Sequence, residues 1–163
     1  MQRRPFLLAA LGALSLLPLF AGAAGEPTVS VKHSIDVKTP PGKVLVELSF
    51  LNQGKTTVWI PRELALDKEL TGARFDVRDA GGKPVAYTGK MVKRAALTGA
   101  DYQALEPGKT LTNTIDITTT YAFGKGRHNY HIGYTGPVLL DVKQLDKAAE
   151  FPARPVSFIS TLK

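Results

Sequence analysis

There is no cysteine among the 163 residues. This excludes a disulfide framework, a thiolate nucleophile and a Cys-ligated zinc or iron–sulfur site. Methionine occurs only at Met1 and Met91, which excludes a Met-rich copper site. There are three histidines, His33, His128 and His131, and none is followed by glutamate. No Gly-x-Ser-x-Gly elbow occurs, and Ser160 with Lys163 has Ser-x-x-Lys spacing without its companion motifs. Gly54-Lys55-Thr56 and Gly108-Lys109-Thr110 lack the earlier glycine of a phosphate loop, having Ser49 and Gln103 there, and read as turns into strands.

Acidic residues are fewer than basic ones, 14 against 21, for a net charge of +7. Part of that excess sits in a leader. Arg3 and Arg4 precede an apolar stretch from Phe6 to Phe20, followed by Ala21-Gly22-Ala23. The stretch is short for a membrane span and ends in small residues, so residues 1–24 read as a signal peptide. Arg3-Arg4-Pro5-Phe6-Leu7 also suits the twin-arginine route, so the general secretory and twin-arginine routes both stay open. Without cysteine there is no lipobox. Removing residues 1–24 leaves 139 residues at +5, a periplasmic or secreted chain with no transmembrane segment expected. That charge is too mild to imply nucleic acid.

Residues 25–163 alternate with period two. Val29, Val31, Ile35 and Val37 share one parity; Val44, Val46, Leu48 and Phe50 share another. Leu111, Ile115 and Ile117 do the same, as do Tyr130, Ile132 and Tyr134. Each run has one mainly apolar face, as in antiparallel sheets packed on a core. Pro40-Pro41-Gly42, Asp79-Ala80-Gly81-Gly82, Pro107-Gly108 and Gly124-Lys125-Gly126 separate the runs. About eight short strands in one β-sandwich domain are expected. Pro61 to Leu70 breaks the alternation and reads as a short helix with Pro61 in its first turn. Residues 95–105 read as irregular, with one helical turn.

A series of segments carries a resemblance. Phe75-Asp76-Val77 leads to Gly82-Lys83-Pro84-Val85-Ala86-Tyr87-Thr88-Gly89, then Val92-Lys93-Arg94-Ala95. Asp101-Tyr102 and Leu105-Glu106-Pro107-Gly108 follow, then Tyr121-Ala122-Phe123, Tyr130 and Ile132. This order resembles the N-terminal, immunoglobulin-like domain that precedes the catalytic domain in some deuterolysin-type, lysine-specific metallo-endopeptidases. The resemblance implies an immunoglobulin-like antiparallel β-sandwich, with Tyr121 or Tyr130 as a tyrosine corner. It also implies a protease or another exported protein as partner, restrained or helped to fold, as by a prodomain acting in trans. The catalytic domain's His-Glu-x-x-His helix has no counterpart here, so no catalytic residue, no resident cofactor and no enzyme activity are expected.

Two basic clusters are candidates for partner binding: Lys90, Lys93 and Arg94 with Arg62 on the helical segment, and Lys125 with Arg127. Loops 61–70 and 90–105 are the expected docking elements. His128 and His131 are the candidate metal ligands of an alternative reading, a periplasmic small-ligand or copper or zinc carrier. Residues three apart on a strand point to opposite faces, so a bulge between them is required. His33 lies on an apolar parity and reads as a satisfied, partly buried histidine. Trp59 reads as core rather than as a carbohydrate platform.

Overall fold

The computed structural model describes residues 30–93 and 96–163, so the expected leader and Arg94 lie outside the described residues. The alternating runs form the expected immunoglobulin-like antiparallel sandwich. One sheet holds β1 (Val31–Lys38), β2 (Leu45–Asn52) and β6 (Thr110–Asp116), with β2 central. The other holds β3 (Val58–Pro61), β4 (Asp76–Asp79), β5 (Tyr102–Leu105), β7 (Gly126–Leu139) and β8 (Ala148–Leu162). The apolar parities face one another. Val46, Leu48, Phe50 and Ile115 meet Val58, Ile60, Val77 and Ile132, all almost fully buried. Burial of each such side chain is worth about 1.5–3 kcal/mol.

Two strands are longer than expected. β7 and β8 form a hairpin of 14 and 15 residues. β8 covers one side of β7 along its length. The other side pairs with β4 from Tyr130 to Gly133 and with β3 at Leu139, so β4 and β3 lie end to end along β7. Between the pairs Ile132–Val156 and Tyr134–Ala153, one β7 residue, Gly133, faces two on β8, Arg154 and Pro155. This is a bulge, and it locally bends the hairpin.

The helical segment is shorter than expected. α1 spans Arg62–Ala65, and Pro61 is the last residue of β3 and stands at the helix N-cap. The 95–105 segment contains the expected helical turn, Gly99–Asp101, but then a strand, β5, that alternation did not reveal. Tyr102, Gln103 and Ala104 carry no apolar alternation of their own. They are placed by pairing with β3.

Of the two candidate tyrosine corners, Tyr130 bonds the backbone a few residues upstream, as a corner does, whereas Tyr121 ties down a connection distant in sequence. The Tyr121 hydroxyl donates to the Phe75 carbonyl at 2.9 Å and accepts from the Phe75 amide at 3.0 Å. The Tyr130 hydroxyl accepts from the Gly124 amide at 2.8 Å. Two other expectations are corrected. Trp59 is half-buried on the face opposite Val58 and Ile60, so it lies outside the core. His33 does point inward, but neither ring nitrogen has a hydrogen-bond partner. Its ring neighbours are Phe50, Tyr134 and Phe151.

Candidate functional site

Two clefts lie at the end of the sandwich around α1. α1 has only four residues and no side-chain cap, so tertiary contacts hold it. Leu64 and Ala65 are buried in the core. Glu63 is buried as well, and its carboxylate accepts from the Thr71 amide at 2.8 Å, the Thr71 hydroxyl at 2.9 Å and Arg74 Nε at 2.9 Å. Arg74 Nη2 completes a two-pronged ion pair at 2.9 Å. Burial pushes the Glu63 carboxyl up, but the Thr71 bonds and the Arg74 guanidinium outweigh it and hold it below the ordinary range. Asn113, on the inward face of β6, donates to the Leu64 and Asp67 carbonyls at 3.1 and 2.7 Å. Lys68 Nζ donates to its amide oxygen at 2.9 Å. Asn113 of β6 thereby fixes the backbone of α1, and the loop before β4 holds its one buried carboxylate.

Two clefts open beside this network. The first, about 440 Å³, has apolar walls from Pro61, Leu64, Leu97, Tyr102, Tyr134 and Pro137, with Arg74 and Asp101 also lining it. The second, about 540 Å³, is lined by Arg62, Asp67, Thr71 and Lys93, and shares Leu97 and Asp101 with the first. Leu97, Val92 and Met91 are exposed on the loop above. Along both clefts, Arg62, Arg74 and Lys93 are matched by Glu63, Asp67 and Asp101. The surface is therefore amphipathic rather than basic, and the first cleft is the more apolar of the two.

The structure brings Arg62 and Lys93 together in one cleft. Lys90 lies apart, paired with Glu69 at 3.0 Å beside a threonine-lined hollow formed by Thr88 and Thr118–Thr120. Lys125 and Arg127 are exposed at the opposite end of β7, ten residues before Pro137. At strand rise that is roughly 30 Å away. The two basic clusters do not form one surface.

His128 and His131 are exposed and held separately. His128 Nε2 lies 2.7 Å from the Lys125 carbonyl, and His131 Nδ1 lies 2.9 Å from Ser157 Oγ. The one irregularity in their ladder falls after Ile132, not between them. Among the described residues, no group of three His, Asp or Glu side chains is placed to hold a metal ion. None of the described helices is long and apolar enough to cross a membrane.

Sequence reasoning missed Arg74, Tyr102, Tyr134 and Pro137. Pro137 within an alternating run was the one available signal, since proline in a sheet is confined to unpaired edges, strand starts and bulges. The others depend on where the end of β7 meets β3 and β5.

No family model matches the chain. Over 157 residues it is 29% identical to an extracellular protease of Aeromonas hydrophila. The match covers 94% of this chain and 41% of that protease, so the chain spans about two fifths of its relative's length. The chain is thus similar, along nearly all of its own length, to part of an extracellular protease.

Proposed function

We propose that this chain is an exported, non-catalytic, protease-associated domain that docks on a protease or another exported protein and restrains it or assists its folding. The observation that carries this reading is the similarity of nearly the whole chain to a minor part of an extracellular protease. The finer identification, with the immunoglobulin-like domain ahead of deuterolysin-type metallo-endopeptidases, rests on the residue series from Phe75 to Ile132 given above. The docking surface is the α1 end, where the apolar cleft supplies contact area and Arg62 and Lys93 edge the neighbouring one. An apolar pocket with a charged rim suits an anchoring side chain of a partner protein.

The test is direct. The purified exported protein is mixed with deuterolysin-type proteases, and binding and residual peptidase activity are measured. Binding is expected, weakened about tenfold or more by Tyr102→Ala or Leu97→Ala and little changed by Lys125→Ala. Neither binding nor a change in activity, across several such proteases, sinks the protease as partner, and retention of no protein from the exported fraction by the immobilised domain sinks the rest of the reading.

A further inference from the structure

The two sheets meet along one open side, where β1 lies beside β8. Among the described residues, β1 pairs only with β2, and β8 only with β7. No ladder joins β1 to β8 among the described residues, so side chains close this seam there. His33 sits at its centre. From β2, Phe50 meets the imidazole edge-on, with ring centroids 4.8 Å apart. From β7, Tyr134 stacks on it at 6.0 Å. From β8, Phe151 tilts against it, also at 6.0 Å.

Both imidazole nitrogens are buried without a partner. Among the described residues, the titratable group facing the ring is Tyr134, whose own hydroxyl is buried and unpartnered and is held neutral by burial. The neighbouring charges point away. Lys32 and Asp36 on β1 and Glu150 and Arg154 on β8 are exposed, and Glu47 on β2 pairs with Lys38. A neutral ring suits this apolar setting, but an imidazolium would bring two donors and a charge with no acceptor.

We propose that His33 is an acid-sensitive latch: neutral, it seals the β1–β8 seam, and its protonation parts β1 from β8 while the β1–β2 and β7–β8 ladders persist. Burial lowers the His33 pKa to about 4, in keeping with a ring that must leave its site to be protonated. Opening would expose Phe50, Tyr134 and Phe151 together with two strand edges, a surface to which an environment-sensitive dye binds.

The test needs no partner protein. Dye fluorescence and far-ultraviolet circular dichroism of the purified exported protein are followed from pH 7.5 to 4. Fluorescence is expected to rise between pH 6.5 and 4 with little change in dichroism, as the closed-to-open ratio falls by about tenfold or more. His33→Phe and His33→Leu are expected to stay dark over that range; two variants are used because either alone may not fold. A flat wild-type response overturns the latch, as does an unchanged rise in a folded variant. Parallel loss of dichroism overturns it too, by showing global unfolding. A wild-type His33 imidazole that titrates by NMR at pH 6.5 or above also overturns it.

Discussion

The Tyr121 hydroxyl uses both its donor and an acceptor lone pair on the backbone of a single residue, Phe75. Tyr121→Phe leaves a buried amide and carbonyl without that partner, so a loss of about 1–2 kcal/mol is expected in urea unfolding. Ser160 has the opposite standing. Its hydroxyl is buried with no partner. Ser160→Ala removes an unsatisfied polar atom at little cost in packing, and unfolding stability should hold or rise by up to about 1 kcal/mol. Gly136 is a matter of space. A Cβ there would lie 2.6 Å from the Tyr134 hydroxyl and ring carbon Cζ. Gly136→Ala should therefore cost about 1–3 kcal/mol. If it unfolds at the same urea midpoint as the parent, Tyr134 does not lie over the β7 backbone as described.

β8 is the edge on which the long hairpin must avoid a second copy of itself. It carries Pro152 and Pro155, and its bulge falls at Arg154 and Pro155. Proline offers no donor to an added strand, and a bulge twists the edge away. Replacing both prolines by valine should produce concentration-dependent self-association, visible by light scattering. A monodisperse monomer at high concentration would show that the seam with β1, rather than proline, protects this edge. At this scale the sequence was partly legible. Turn chemistry and parity placed β1, β2, β6 and β7 with their buried faces correct. β5 was not legible, because Tyr102 to Leu105 becomes a strand only against β3. The short α1 was legible through Pro61, but its length was not, since propensity does not hold a four-residue helix.

Acid should act on the whole molecule in two stages of the same sign. Unfolded His33 takes up a proton near pH 6.5, whereas the ring in the closed seam stays neutral down to about 4. The unfolded chain binds more protons than the closed form across that window, so the closed form loses stability as pH falls through it, by about 1–2 kcal/mol because the ring is only partly shielded. Two carboxylates act lower down. For Asp116, burial raises the pKa, but bonds from Thr118 and the Lys43 charge bring it below the ordinary range, as Thr71 and Arg74 do for Glu63. Their contribution is present above the unfolded carboxylate pKa and is lost as pH falls below it. Urea midpoints measured from pH 7.5 to 3.5 should decline in both ranges. His33→Phe should remove the upper decline and keep the lower one.

The residue order by itself determined the inward parity of each long strand, the turns between them and the chemistry that cannot occur. Period two and turn composition are local properties, and a missing residue type is missing in any fold. Tertiary structure decided the rest. It joined Arg62 to Lys93 and left Lys125 at the far end, and it seated Arg74 on Glu63. It set Trp59 outward and enclosed His33 among three rings without a hydrogen bond. Alternation states which side of a strand is buried but not which strand lies opposite. A cleft, an ion pair or an unsatisfied imidazole is a property of that second strand.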